Sequence, residues 1–95
     1  MSDWYLYMIR CGDNSLYTGV TTDVDRRFRE HSGSAKGAKY TRSRGPLALV
    51  FTVKVGTTRG AALRAELKVQ KLCKRRKEEV VTCGQLPAGV LETSA

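Results

Sequence analysis

The sequence contains no long apolar run. None of its apolar stretches approaches the roughly 18 residues that a membrane-spanning helix requires, and its first residues do not form a charged region followed by an apolar stretch. We therefore expect a soluble, cytoplasmic protein with neither a membrane-spanning segment nor an export signal.

Cysteine and histidine are scarce. The three cysteines, Cys11, Cys73 and Cys83, are widely spaced, and His31 is the only histidine. Structural zinc sites use closely paired ligands such as Cys-x-x-Cys, so zinc coordination is not expected. An odd number of separated cysteines fits a reducing compartment, and we expect all three to be buried free thiols.

Acidic residues are also few, and this makes the chain strongly basic. It has 17 Lys and Arg against 9 Asp and Glu, a formal net charge of +8. Such a balance favours polyanionic partners: nucleic acid first, an anionic membrane surface second. With 95 residues there is one core and little room to enclose a small ligand, so any site should be shallow and suited to a polymer.

The apolar periodicity predicts an α+β domain of order ββαβαα, in which helices flank a small three-stranded antiparallel sheet. Alternating runs predict strands at residues 4–10, 16–21 and 47–55. Helical spacing, capping residues and glycines predict helices at 23–32, 58–73 and 74–83, the first opened by a capping box of Thr22 and Asp25. We expect one domain over residues 3–84 and a flexible tail over 85–95.

Two tyrosine-bearing strands precede a helix that carries Arg27 and His31. Their tripeptides are Tyr5-Leu6-Tyr7 and Tyr17-Thr18-Gly19, joined by a turn-forming segment of hairpin length. Together with residues 39–47 and 62–66, these motifs resemble the GIY-YIG nuclease family, over roughly residues 3–80. The first tripeptide differs from the family pattern, with tyrosine in place of glycine and leucine in place of isoleucine.

The resemblance implies metal-dependent hydrolysis of DNA phosphodiester bonds. In the family the motif tyrosines prepare the attacking water, which corresponds here to Tyr7 and Tyr17, with Tyr5 a lesser candidate. The match also singles out Arg27 as the residue that binds the scissile phosphate, and Glu66 as the ligand of one Mg²⁺ or Mn²⁺. Many members have an asparagine after that glutamate. This chain has none there, and Gln70 is a possible replacement.

The residues themselves support part of this assignment. Glu66 is the only charged member of a stripe with Ala62, Val69 and Cys73, so its carboxylate needs a partner: Arg27 or a divalent cation. The alternative is a structural ion pair at the edge of the stripe. His31, four residues after Arg27, either assists proton transfer or caps the helix.

Tyrosine is a weak base at its usual pKa of about 10, so a tyrosine that accepts a proton from water needs flanking cations that favour phenolate. Arg27 is the expected flank. Gly19 is expected to be structural, because a side chain there would crowd the sheet face near the phosphate.

Two basic segments are predicted to bind nucleic acid. The connection between residues 33 and 46 contains no acid, and its cations surround an aromatic ring that offers a stacking surface. A cationic stripe at helical spacing follows on the next helix. The alternatives are a solvated loop and a solubilising helix face. The residues concerned are Lys36, Lys39, Tyr40, Arg42, Arg44, Arg64, Lys68, Lys71 and Arg75.

The sequence thus predicts a small DNA endonuclease acting in DNA repair or processing, on DNA or, as a further possibility, RNA. A domain this small is expected to rely on a protein partner for targeting. The main rival is a nucleic-acid-binding module of the same fold that does not cleave. A protein-interaction domain is a weaker third hypothesis, because of the charge and the lack of an exposed apolar segment.

Overall fold

A computed structural model of the chain describes residues 2–33, 46–87 and 90. Its elements are β1 (Trp4–Arg10), β2 (Leu16–Thr21), α1 (Val24–Gly33), β3 (Ala48–Gly56), α2 (Arg59–Gln70) and α3 (Lys74–Cys83). The predicted α+β order ββαβαα is confirmed. The predicted bounds of β1, β2 and α3 match the structure, and α2 is shorter than expected. Among these residues no helix is long and apolar enough to cross a bilayer.

The strands form one antiparallel sheet in the order β2-β1-β3, so the tyrosine-bearing β1 is central. Cys11 and Ser15 close the β1–β2 loop through a backbone hydrogen bond of 2.9 Å. Asn14 occupies the left-handed region within it, with φ of 69°. Asparagine tolerates that conformation, which explains the turn at this point.

The side chains of β1 alternate between two faces of the sheet. The core face carries Leu6 and Met8, both fully buried against Ala62 and Val69 of α2 and Val80 of α3. The tyrosine face carries Tyr5, Tyr7 and Ile9. α1 lies on this side, and its Val24 and Phe28 pack against Tyr7 and Ile9. The predicted alternation of β1 is therefore observed.

The helix α1 starts one residue later than the predicted capping box requires. Asp23, not Thr22, is the cap: its Oδ1 accepts a hydrogen bond of 3.0 Å from the backbone N–H of Arg26. Thr21 in turn accepts one of 3.1 Å from the N–H of Asp23. The predicted capping box of Thr22 and Asp25 is therefore wrong. The helix begins at Val24, so the N-cap position is residue 23, and the Asp23 side chain binds the N–H of the residue three positions later.

The two helices predicted after β3 are observed, but α2 ends at Gln70 instead of residue 73, and this corrects both predicted stripes. Lys71 is the C-cap of α2, Cys73 is the N-cap of α3, and Arg75 belongs to α3. On α2 itself only Arg64 and Lys68 remain of the cationic stripe. The apolar stripe likewise ends at Val69.

Two of the three cysteines are not buried. Cys11 is buried in the sheet, whereas Cys73 and Cys83 are exposed. The prediction of three buried thiols is wrong because Cys73 lies in the break between the helices and Cys83 on the outer side of the last turn of α3. All three are free.

Near the end of the chain, Val90 is 6% exposed and packs against the core cluster. Its N–H donates to the carbonyl of Pro87 at 3.3 Å. Residues 88, 89 and 91–95 of the predicted tail lie outside the described residues, and the domain boundary at residue 84 stays a prediction.

Candidate active site

Tyr7 lies at the centre of the tyrosine face, and the register explains its position. It pairs with Gly19 of β2 on one side and with Thr52 of β3 on the other. A Cβ added to Gly19 would lie 2.4 Å from the Tyr7 Oη atom, closer than side-chain atoms approach. The absence of a side chain at position 19 therefore lets the phenol ring lie across β2.

The Tyr7 hydroxyl is bound to the only histidine of the chain. Its Oη lies 3.0 Å from Nε2 of His31, which is 4% exposed at the C-terminal end of α1. Burial, reinforced by the charge of Arg27, lowers the pKa of His31, so the ring is neutral near pH 7. With the proton on Nδ1, Nε2 accepts the hydrogen bond that Tyr7 donates.

Tyr17 completes an aromatic cluster around this hydrogen bond. Its ring meets His31 edge-on with the centroids 5.1 Å apart, and lies 6.4 Å from Tyr7. Tyr17 is half-buried whereas Tyr7 is 2% exposed. The two motif tyrosines therefore share one site at different depths, with Tyr17 nearer to solvent.

Arg27 extends the cluster toward solvent. Its guanidinium hydrogen-bonds Tyr7 and forms an ion pair of 3.0 Å with Glu30. Burial alone would lower the pKa of Arg27, but the hydrogen bonds to Glu30 and Tyr7 raise it. Glu30 was not predicted as a site residue, although its i,i+3 spacing from Arg27 is the signal that would have found it.

Arg27 flanks Tyr7 as expected, but it does not turn the phenol into a phenolate. Burial first, then the neighbouring Tyr17 and to a smaller extent Glu66, raise the pKa of Tyr7 to about 12, although the hydrogen bond and the charge of Arg27 act to lower it. The expectation of a cation-stabilised phenolate is therefore wrong for this structure. Desolvation of the charged form outweighs one guanidinium that is itself paired with a carboxylate.

Glu66 projects from α2 close enough to Tyr7 to act on its pKa. Burial raises the pKa of the Glu66 carboxyl, and among the described residues none places a hydrogen-bond donor against it. The described salt bridge of Arg27 is with Glu30. Arg27 is therefore not the compensating charge for Glu66 among the described contacts, and a divalent cation beside Glu66 stays a prediction.

The described charges of the site favour the entry of a cation. They are the guanidinium of Arg27 and the carboxylates of Glu30 and Glu66, with His31 neutral. A cation at Glu66 would offset this excess of one negative charge. No group of three or more His, Cys, Asp or Glu with metal-site geometry occurs among the described residues. A single carboxylate with waters and phosphate oxygens suits Mg²⁺ or Mn²⁺.

The predicted nucleic-acid contacts are only partly visible. The loop residues Lys36, Lys39, Tyr40, Arg42 and Arg44 lie outside the described residues. Arg64 and Lys68 are exposed on α2, and Lys71 and Arg75 are exposed at its junction with α3. Leu63 and Leu67 are exposed on α2 as well, at 42% and 52%. The nucleic-acid role of these cations stays a prediction.

Comparison with known families gives a match over most of the chain. Residues 3–79 match the model of the GIY-YIG catalytic domain. The chain is 53% identical over 85 residues to a UPF0213 protein of Citrobacter koseri, covering 90% of this chain and 83% of the relative. It is 55% identical over 84 residues to the UPF0213 protein YhbQ of Escherichia coli K12, covering 88% and 82%.

Solved structures give the same picture. The UPF0213 protein BH0048 from Bacillus halodurans is 45% identical with a TM-score of 0.55, and the match covers 93% of this chain and 92% of the other. The protein EF2693 from E. faecalis is 38% identical with a TM-score of 0.58, covering 87% and 86%.

Proposed function

Because the chain belongs to the GIY-YIG family, a nuclease-type family that acts on nucleic acids, we propose that it is a divalent-metal-dependent endonuclease that hydrolyses DNA phosphodiester bonds. The observation that carries the proposal is the hydrogen bond of 3.0 Å between Tyr7 Oη and His31 Nε2, beside Arg27. A buried phenol with an attached neutral imidazole is a pathway for a proton, which a purely structural tyrosine does not need.

The raised pKa of Tyr7 is compatible with this role if the phenol relays a proton rather than holding a negative charge. As water attacks the phosphorus, its proton passes to Tyr7 Oη while the Tyr7 proton passes to His31 Nε2. The phenol is then neutral before and after the step, and neutral His31 is the acceptor. Tyr17, nearer to solvent, orients the water or the phosphate.

Arg27 is assigned to the phosphate. A guanidinium that donates to phosphate oxygens becomes more favourable as charge accumulates on them in the transition state. Its ion pair with Glu30 is half-buried and has to weaken when the phosphate arrives. Glu66 would hold the Mg²⁺ or Mn²⁺ ion, which supplies a Lewis acid for the phosphate and the leaving oxygen.

The second candidate is a nucleic-acid-binding module that does not cleave. The lack of an asparagine after Glu66 favours it, since a polar support of the family site is missing here. Against it stands the Glu66 carboxylate itself. A protein that only bound DNA would gain nothing from a half-buried, uncompensated carboxylate beside a phosphate site.

The cellular setting is proposed from the same features. Free cysteines fit the reducing cytoplasm, and a basic single domain fits DNA repair or processing with targeting by a protein partner. RNA stays a possible substrate.

The test is a cleavage assay on single-stranded, duplex and branched DNA with Mg²⁺ or Mn²⁺, repeated with a chelator. We expect divalent-dependent nicking by the parent protein and none by Glu66→Gln purified in parallel, which controls for contaminating nuclease. Binding of DNA without any cleavage at high protein concentration would replace this proposal with the binding module.

A further inference from the structure

A cavity of about 370 Å³ opens beside the tyrosine site, between the sheet and the first turn of α1. Tyr5 and Tyr7 are on the same face of β1, two residues apart, so their backbone positions are separated by about 7 Å along the strand. Val24 and Asp23 lie one helical turn before Arg27. The cavity therefore lies beside the Tyr7 site, two residues earlier on β1 and about one turn earlier on α1. Its described lining residues are Tyr5, Thr22, Asp23, Val24, Asp25, Leu49 and Thr52.

The lining combines a flat ring with hydrogen-bond acceptors. Tyr5 offers an aromatic surface, and Leu49 and Val24 add apolar contacts. Asp23, Asp25 and Thr52, whose side chains carry acceptor oxygens, line the same space. In a chain of net charge +8, a cavity with two carboxylates excludes phosphate and favours a neutral ligand that donates hydrogen bonds.

The two carboxylates are not equivalent. Asp23 Oδ1 accepts the capping hydrogen bond from Arg26 and is needed to start α1. Asp25 is an exposed residue of the first turn. Asp25 is therefore the acceptor that a ligand can use without competing with the helix cap.

A cation is the strand neighbour of one lining residue, Tyr5. Lys54 of β3 pairs with Tyr5 in the sheet register, and its Nζ lies 3.2 Å from Asp3 in an exposed ion pair. Exposed pairs of this kind are weak, so Lys54 can turn to a phosphate. These groups match the parts of one nucleotide. The Tyr5 ring suits the base, the Asp25 carboxylate suits an exocyclic amino group, and Lys54 suits the phosphate.

We propose that this cavity is a subsite for the base of the nucleotide next to the scissile phosphate, and that it selects bases with an exocyclic amino group. The base stacks on Tyr5, and its amino group donates to Asp25. Cytosine, adenine and guanine carry such a group and thymine does not. The inference rests on the proposed function for the identity of the scissile phosphate.

Binding is measured separately from cleavage, by fluorescence anisotropy with short single-stranded oligo(dC) and oligo(dT) of equal length, in a Glu66→Gln background. We expect oligo(dC) to bind about fivefold or more tightly than oligo(dT), the size of one carboxylate–amino contact. Asp25→Ala should remove that preference, because it deletes the acceptor oxygens that an Asn side chain would still offer in part. Tyr5→Ala should weaken binding of both by about tenfold, as for one lost stack, whereas Tyr5→Phe should retain it.

Equal affinity for both oligonucleotides, or Tyr5→Ala binding like the parent, would overturn the subsite while leaving the nuclease proposal intact. Whether the subsite exists independently of nuclease activity is tested by NMR titration with deoxycytidine and thymidine. Shifts at Tyr5 and Asp25 with deoxycytidine only would support the subsite even if no DNA is cut. Shifts produced by Mg²⁺, without discrimination between the nucleosides, would make the cavity a cation site and overturn the proposal.

Discussion

On the core face of β1, Leu6 and Met8 lie fully buried against α2, whereas on the tyrosine face Tyr7 is almost as buried but keeps its hydroxyl in a hydrogen bond to His31. The two faces of one strand thus share their depth of burial and differ in their chemistry. Depth alone does not distinguish core from site in so small a domain. What distinguishes them is whether a buried polar atom has a titratable partner.

The core face also has a polar member, and it makes the contrast sharper. The Thr18 hydroxyl, opposite Met8 in the register, is buried and has no hydrogen-bond partner among the described residues. Burial there only costs stability. On the tyrosine face, burial raises the pKa of Tyr7 and lowers the pKa of His31. The proton therefore stays on the phenol, and the neutral imidazole can accept it.

The largest effect is expected when the negative charge of Glu66 is removed. Glu66→Gln deletes the proposed metal ligand, and the loss of Lewis-acid assistance should reduce the cleavage rate by about 10³-fold or more. Because a negative charge facing DNA is lost as well, affinity measured by anisotropy should be kept or increased. A variant that cleaves like the parent would end the one-metal mechanism.

A substitution on the core face should have a large effect on stability and not on the cleavage rate of the folded protein. Leu6→Ala leaves a cavity under α2 and should reduce the free energy of unfolding by about 2–5 kcal/mol in urea titrations. The DNA affinity of the folded fraction should not change, because Leu6 points away from Tyr7. A loss of affinity beyond the loss of folded protein would show that the two faces are coupled.

On the tyrosine face, removal of a single hydroxyl should separate activity from stability. Tyr7→Phe breaks the hydrogen bond to His31 and should slow cleavage by about 10²-fold while costing about 1 kcal/mol of stability. Tyr17→Phe tests the more solvent-accessible phenol in the same assay. If neither variant slows cleavage, the proton does not travel through these tyrosines.

How much of this site was available from the sequence depends on the residue. Alternation placed Tyr7 on one face, and helical spacing placed Arg27 and His31 on one side of α1, because both periods are local properties. The pKa of Tyr7 was not predictable, since it depends on how deeply β1 is covered. The break between α2 and α3 was predicted, but α2 was extended to residue 73 because the helical spacing continues through Lys71 and Cys73, whereas the helix itself ends at Gln70.

Position 19 allows a smaller and more geometric test of the comparison. Gly19→Ala would push the Tyr7 ring away from β2 and should destabilise the fold by about 1–3 kcal/mol, with loss of cleavage. Gly60→Ala is the matched control, because its Cβ would meet only the end of the Arg64 side chain, at 3.3 Å. Gly60 lies in the first turn of α2, so the control should be neutral or stabilising by up to about 1 kcal/mol. Equal effects of the two would mean that the Tyr7 ring has room to move.

The smallest effect concerns an ion pair at the end of β1. Arg10 and, secondarily, Lys74 lower the pKa of Glu78 to about 2 from an ordinary value of 4.5, and so tie α3 to the strand. Because the pKa of Glu78 is lower in the folded protein, the charged carboxylate stabilises the fold at every pH above its pKa in the unfolded chain. That stabilisation is lost as the pH falls from about 4.5 towards 2. The pair is largely exposed, so Glu78→Gln should cost at most about 1 kcal/mol at neutral pH. Urea titrations at pH values across this window should show a flatter pH dependence in the variant, and an unchanged one would assign acid sensitivity to other carboxylates.

The close approach of Tyr7 to Gly19 also has a consequence for how such chains diverge. A lineage that lost the tyrosine at position 7 would no longer be constrained to keep glycine at position 19, whereas one that kept the tyrosine could not accept a larger residue there. We therefore expect a relative with a bulky residue at the position of Gly19 to lack this phenol as well.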